Sequence, residues 1–156
     1  MKEVALVMLL ALTLNGCGSS TTTTQTAASG IWKAELLGGS GEASGLSFTT
    51  QFTVNSDGSL SITYFQLLTT GTCYPTSGGT ESGSMDLSEN TTTLVVTGTF
   101  SYSVLAQGNT LTLTGTVTGT ESGTTLSGGS VTGTWTSAGS SACTANNGTF
   151  TMTQIS

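Results

Sequence analysis

The chain has 156 residues, which is enough for one domain and too few for two of ordinary size. It contains eight acidic residues against two lysines, with no histidine, and its net charge is −6. Without clustered cations it cannot displace the counterions of a nucleic acid, and without histidine it cannot form a Ser-His-acid or Cys-His arrangement. Nucleic-acid partners and the commonest nucleophilic mechanisms are therefore excluded.

Residues 1–16 have the form of a cleavable secretory signal peptide. Lys2 and Glu3 precede an apolar run from Val4 to Leu14, which has 11 residues. A helix that crosses a bilayer needs about 20 residues, so this run is too short to remain as an anchor. We expect the segment to be absent from the mature chain.

The signal peptide ends at Leu14-Asn15-Gly16-Cys17, which resembles the lipobox of bacterial lipoproteins. In that family the cysteine thiol receives a diacylglyceryl group, the leader is cut just before the cysteine, and the new amine is acylated. The resemblance therefore implies lipidation of Cys17 and a membrane as partner, held durably because several acyl chains insert. Gly18 differs from the aspartate that resembles an inner-membrane retention signal, which favours the outer membrane in a cell that has two.

The stretch after Cys17 consists of small and polar residues without hydrophobic periodicity, a composition typical of flexible linkers. Residues 17–29 are therefore predicted to be the lipidated cysteine and a flexible tether. Residues 30–156 are predicted to form a single β domain.

From Ile31 onward, apolar and polar residues alternate with a period of two, which is typical of antiparallel strands with one buried face. The pattern predicts eight strands, near residues 30–38, 45–55, 59–69, 82–88, 92–105, 109–120, 129–137 and 147–155. Short links between them favour an all-β antiparallel meander closed into a small up-and-down barrel. A two-sheet sandwich is the alternative.

The third predicted strand follows a recognisable turn. Ser56-Asp57-Gly58 suits a three-residue hairpin loop, which would pair Phe52 with Ile62. Tyr64 lies two residues beyond Ile62, so we expect it on the same inward face.

The turn before the sixth predicted strand sets a second register. Gly108-Asn109 suits a type II′ turn, which would place Tyr102 opposite Gly115 so that an aromatic ring covers the glycine. Leu94 is expected on the same inward face as Phe100.

Cys73 and Cys143 remain as an even pair once Cys17 carries lipid. In an oxidising compartment such a pair is expected to form a disulfide. In a meander the two loops that carry them fall at the barrel end opposite the entry of the first strand, so they can meet.

Few residues offer catalytic or metal-binding chemistry. Glu81 and Glu121 share a repeated Gly-Thr-Glu-Ser-Gly context and are the candidates for a glycosidase pair, although soluble surface carboxylates are the favoured interpretation. Lys33 is interpreted as a solvated surface charge, and Asn55–Gly58 as a hairpin turn instead of a calcium loop. Catalytic residues, metals and cofactors are therefore not expected.

Five aromatic residues are candidates for lining a ligand pocket, although filling of the barrel is favoured: Trp32, Tyr64, Phe100, Tyr102 and Trp135. Three glycines on the inward face would instead leave room for a ligand: Gly98, Gly115 and Gly133.

Two further resemblances bear on function. Ser29–Trp32 resembles the first strand of streptavidin-like and lipocalin-like barrels, and Gly71–Pro75 with Asn147–Phe150 resembles a group of Thr-, Ser- and Gly-rich bacterial lipoproteins, which implies no activity. We expect a monomeric, non-enzymatic module for display or interaction, with an envelope protein as partner. The alternative is a lipocalin-like carrier of a small hydrophobic molecule.

Overall fold

The computed structural model describes residues 20–69, 72–75 and 79–156, so the predicted signal peptide and Cys17 lie outside the described residues. The described part contains one helix and eight strands: α1 (Ser20–Ala28), β1 (Gly30–Leu37), β2 (Ser47–Val54), β3 (Leu60–Leu67), β4 (Gly79–Asn90), β5 (Val95–Ala106), β6 (Asn109–Ser122), β7 (Thr125–Ala138) and β8 (Ala145–Gln154). Every predicted strand is present, with bounds that differ by a few residues.

The eight strands form one antiparallel sheet in the order β3-β2-β1-β8-β7-β6-β5-β4. The sheet curls until its two edge strands, β3 and β4, meet again at a bridge between Ser59 and Ser84. Beside this bridge, Met85 N donates to Gly58 O at 2.7 Å. The predicted meander is confirmed as a nearly closed barrel, and we call the junction of β3 and β4 the seam.

The barrel has two distinct ends. The helix end carries α1, the start of β1, and the β2–β3, β4–β5 and β6–β7 connections. The disulfide end carries the β1–β2, β3–β4, β5–β6 and β7–β8 connections, and with them Cys73 and Cys143.

Aromatic side chains fill the interior. Trp32, Phe100, Tyr102 and Trp135 are each at most 3% exposed. The Tyr102 ring stacks between Phe48 and Phe100, with centroid separations of 5.7 and 6.0 Å. Four of the five predicted lining aromatics are therefore core residues.

Inward glycines mark places where neighbouring strands approach closely. Gly115 and Gly133 face each other across β6 and β7. A Cβ at Gly133 would lie 2.0 Å from Thr114 O, and one at Gly98 would lie 2.1 Å from Asp86 O. The expectation that these glycines leave room for a ligand is wrong, because the backbone of the adjacent strand already occupies that space.

The β5–β6 turn lies one residue earlier than predicted. Gln107 and Gly108 are its central residues, and their φ angles of +50° and +78° belong to a type I′ turn. Gly115 therefore pairs with Phe100 and not with Tyr102. The two-residue shift keeps the predicted inward face, because side chains alternate with a period of two, and an aromatic residue still lies opposite the glycine.

The β2–β3 hairpin has the predicted register near its turn and loses it further along. Phe52 pairs with Ile62 as predicted, and an extra residue, Thr63, then interrupts the ladder. Beyond this bulge the inward positions change by one residue. Tyr64 consequently points outward with 45% of its surface exposed, while Phe65 is half-buried. The predicted inward orientation of Tyr64 is wrong.

Leu94 also departs from its predicted position. It lies in the β4–β5 turn with a φ of +57° and is 46% exposed. Its N–H donates to Asn90 O at 2.7 Å, so the chain reverses one residue before β5 begins.

The N-terminal side of the domain differs most from the prediction. Helix α1 occupies most of the stretch predicted as a flexible tether, and its residues Thr24, Ala27 and Ala28 are at most 2% exposed. Serine and threonine are not strong helix formers, so the helix depends on its contacts with the barrel. One of these is a hydrogen bond from Trp32 Nε1 to Ala28 O at 3.0 Å.

Candidate functional site

The disulfide end is held together by the predicted bond between Cys73 and Cys143. Their Cα atoms lie 5.6 Å apart, and the bond joins the β3–β4 connection to the β7–β8 connection. Tyr74, beside the bond, hydrogen-bonds through its hydroxyl to Ser137 Oγ at 2.5 Å, and Ser137 Oγ donates to Cys143 O at 2.6 Å. Burial raises the pKa of Tyr74. The phenol therefore stays protonated and able to donate.

Two polar residues to which the sequence analysis assigned no such role fasten the same loops. Asn109 is buried, donates to Cys73 O at 3.3 Å and accepts from Ser140 N at 3.1 Å. The Glu42 carboxylate accepts from the Thr72 hydroxyl and from Cys73 N–H, the latter at 2.8 Å. These hydrogen bonds hold the pKa of Glu42 below its ordinary value of 4.5, and the bond from the Thr72 hydroxyl has the largest effect. No local sequence pattern could have indicated either role, because the hydrogen-bond partners of Asn109 and Glu42 lie about 30 residues away or more.

Beside the disulfide end, the seam opens into a cleft. The Ser59–Ser84 bridge joins the two edge strands toward the helix end, and among the described residues no further strand pairing joins them. The cleft has a volume of about 310 Å³. Six of the described residues that line it have apolar side chains: Ile62, Phe65, Leu67, Pro75, Val104 and Ala106.

The other described lining residues are Thr63, Tyr64, Gly79 and Glu81. Glu81 is half-buried, on the side of β4 that faces the interior. Lys33 is the only basic residue in the described part of the chain, and its ammonium bonds Glu35 at 2.8 Å on the outer surface. No cation in the described part of the chain is therefore free to pair with Glu81.

Tyr102 is fully buried in the barrel interior. Its hydroxyl lies 2.9 Å from Thr50 Oγ1, and Thr50 in turn donates to Tyr64 O at 3.1 Å. Burial raises the pKa of Tyr102, and the negative charge of Glu81 raises it further against the opposing effect of Thr50. The phenol therefore stays neutral at pH 7.

The second glutamate of the candidate glycosidase pair lies at the other end of the barrel. Thr24 Oγ1 donates a shared hydrogen bond to Glu89 and Glu121, at 3.1 Å from each. Glu89 is eight residues beyond Glu81 on β4, a separation of about 26 Å at the rise of a strand. Glycoside hydrolysis needs two carboxyl groups within about 10 Å. The Glu81–Glu121 pair is therefore not a catalytic pair.

Gln154 fastens α1 to the barrel. Its Nε2 donates to Ala27 O at 2.8 Å and to Ser29 O at 3.0 Å, while its Oε1 accepts from Leu126 N at 2.9 Å. Ser29 Oγ also accepts from Val54 N at 2.9 Å. The helix is thus attached to strands that lie far apart in sequence.

The hairpin at residues 55–58 uses its own polar atoms internally. Asp57 Oδ1 accepts from the Ser59 hydroxyl at 2.6 Å and from Ser59 N–H at 2.9 Å, and these bonds lower the pKa of Asp57. Asn55 Nδ2 donates to Ser59 Oγ at 3.0 Å. The arrangement agrees with a turn, as interpreted from the sequence.

The chain matches no protein-family model, no curated protein and no solved structure. Among residues 20–69, 72–75 and 79–156, no helix is long and apolar enough to cross a membrane. The same residues contain no group of three or more His, Cys, Asp or Glu side chains placed to hold a metal ion.

Proposed function

We propose that this protein is a lipid-anchored protein of the bacterial cell envelope, with a non-enzymatic barrel that serves display or interaction. The observation that carries the proposal is the distribution of its three cysteines. Cys73 and Cys143 share a disulfide, so Cys17, at the end of the lipobox-like motif, is the one cysteine outside it. A disulfide within the chain is also typical of exported proteins.

The position of α1 supports an orientation of the barrel relative to the membrane. The helix begins at Ser20, three residues after Cys17, and an extended chain of that length reaches about 11 Å at most. An anchor on Cys17 would therefore hold the helix end close to the lipid surface. The disulfide end and the open part of the seam would face away from it.

A display or interaction role agrees with the chemistry of the carboxylates. Glu81 and Glu121 lie at opposite ends of the barrel, and Asp57 is engaged within its own hairpin. The separation of Glu81 from Glu121 supports a role other than glycoside hydrolysis.

A carrier of a small hydrophobic molecule is the second candidate, and the seam cleft favours it. The interior is filled by aromatic residues, so a carrier would not use a central lipocalin-like cavity. The cleft of about 310 Å³ reaches the lower end of the size range of ligand pockets. Of the aromatics expected to line a pocket, Tyr64 alone is among its lining residues.

Metabolic labelling with palmitate, followed by intact mass of the membrane-extracted protein, tests the anchor. We expect a chain that starts at Cys17, carries diacylglyceryl and acyl mass, and lacks two hydrogens at the other cysteines. Cys17→Ser should abolish the label, whereas the double variant Cys73→Ala with Cys143→Ala should retain it. An uncleaved leader with an unmodified Cys17 would overturn the proposal.

A further inference from the structure

We propose that the seam cleft binds a small organic cation with an apolar body, of the alkylammonium class, whose charged head pairs with Glu81. The inference goes beyond the lipid anchor and does not depend on it. It rests on the shape of the cleft, on the apolar side chains in its wall and on a carboxylate for which the described part of the chain supplies no counterion.

The apolar lining favours a ligand with a hydrocarbon body. Leu67, Val104 and Ala106 are at most 3% exposed, and Ile62 and Phe65 are half-buried beside them. A hydrocarbon chain that enters the cleft moves out of water and into contact with these side chains, and this transfer is favourable.

The charge at the cleft favours a cation. Glu81 faces the interior from β4, and the only basic residue of the described chain is paired with Glu35 elsewhere. Partly buried carboxylates are normally compensated by a cation or by hydrogen bonds. An ammonium head would supply both, and the half-buried ring of Phe65 can add a cation–π contribution. An anion would meet the same carboxylate and be repelled.

The second copy of the pentapeptide shows how this fold satisfies an inward glutamate when it needs no ligand. Glu121 has the same flanking residues as Glu81, and its carboxylate accepts a hydrogen bond from Thr24 of α1. No comparable donor reaches Glu81 from the described residues around the seam.

The boundaries of the cleft limit the size of the ligand. The Ser59–Ser84 bridge closes the seam toward the helix end, and Pro75 follows closely after the disulfide-bonded Cys73. A volume of about 310 Å³ between these boundaries suits a small molecule. Because both boundaries are fixed by bonds, the cleft is largely formed before a ligand arrives.

Ligand-observed saturation-transfer NMR on the full-length protein in nanodiscs of phosphatidylcholine tests the proposal. The probes are hexylammonium, hexanol and hexanoate, which share a six-carbon body and differ in head-group charge. We expect hexylammonium to bind about tenfold more tightly than hexanol, the gain typical of a charge-assisted hydrogen bond, and hexanoate not to bind.

Variants then locate the interaction. Glu81→Gln keeps the shape of the side chain and should lower hexylammonium affinity about tenfold while leaving hexanol affinity unchanged, which also reports an intact cleft. The matched control is Glu121→Gln, in the identical pentapeptide, which should leave the binding of all three probes unchanged.

Three results would overturn the proposal. One is an affinity for hexylammonium that does not exceed the affinity for hexanol. This result would indicate that the cleft binds an uncharged apolar ligand. Another is hexylammonium affinity that Glu81→Gln leaves unchanged. The third is a protein that sediments as a dimer and binds neither hexylammonium nor hexanol. This result would indicate that the seam is a contact between two copies of the chain.

Discussion

The pentapeptide Gly-Thr-Glu-Ser-Gly occurs at residues 79–83 and again at residues 119–123, and the two copies lie at opposite ends of the barrel. Both glutamates occupy inward positions on strands. At the helix end, Glu121 is hydrogen-bonded by Thr24; at the disulfide end, Glu81 lines an open cleft. Identical local sequence thus specifies a strand and an inward direction, and the environment depends on what distant segments bring to each end.

The two ends are closed by different means. At the helix end, α1 contributes a buried face and backbone carbonyls that Gln154 and Trp32 bind. At the disulfide end, irregular connections are held by one covalent bond and by a few polar contacts from Asn109, Glu42 and Tyr74. At the helix end α1 covers inward-facing groups such as Glu121, whereas the cleft lies beside the disulfide end.

Removal of the disulfide should have the largest effect on stability and should show how much the disulfide end depends on it. The bond closes a loop with a sequence separation of 70 residues. The double variant Cys73→Ala with Cys143→Ala should lower the free energy of unfolding by about 4 kcal/mol in the chain-entropy model, measured by urea denaturation of the purified protein. Cys17→Ser is the control and should leave that free energy unchanged. A loss below about 1 kcal/mol would mean that the polar contacts alone hold this end.

Gln154→Ala should have the next largest effect, and at the opposite end. It removes the amide that bonds Ala27, Ser29 and Leu126, and we expect a loss of about 2 kcal/mol for these three hydrogen bonds. Hydrogen exchange should speed up in α1 while the central strands keep their protection. Gln66→Ala, an exposed glutamine on β3, should cost less than about 0.5 kcal/mol. Equal exchange in both variants would contradict the role of Gln154.

The pair of glutamates can be compared directly in a third experiment. Thr24→Val removes the hydroxyl that Glu89 and Glu121 share, and should lower the free energy of unfolding by about 1 kcal/mol. Glu81→Gln should change it by less than about 0.5 kcal/mol, because no side chain of the described part bonds Glu81. Thermal unfolding of both variants in the same buffer measures the difference, and similar losses would show that the two environments are equivalent after all.

Much of the fold could be predicted from the sequence, because strand alternation is a local property. The period-two pattern located all eight strands, and the short links between them indicated the meander. The disulfide followed from the same topology. Tyr64 was placed on the wrong face because a single unpaired residue, Thr63, reverses the alternation and leaves no mark in the hydrophobic pattern.

The helix and the cleft could not be predicted from the sequence, for a different reason. The Ser- and Thr-rich segment of α1 has the composition of a linker, and it is helical because the helix end of the barrel binds it. The cleft depends on how far β3 and β4 close upon each other, which no local pattern reports. Glu81 was noticed for its repeated context, yet its role depends on the seam beside it.

The smallest effect we expect is on the stability of the protein at low pH, and it can be measured for each end of the barrel with one carboxylate. Hydrogen bonds lower the pKa of Glu42 from 4.5 at the disulfide end and that of Asp57 from 3.8 at the helix end. A carboxyl group with a lowered pKa stabilises the fold above its ordinary value, and this contribution is lost as the pH falls through the lowered value. Glu42→Gln should therefore lower the melting temperature slightly at pH 7, and the difference from the unaltered protein should shrink as the pH falls below 4.5. Asp57→Asn should behave in the same way with a later onset, below 3.8. A Glu42→Gln difference that persists to a pH of about 2 would show that the charge of this carboxylate does not hold the Cys73 loop.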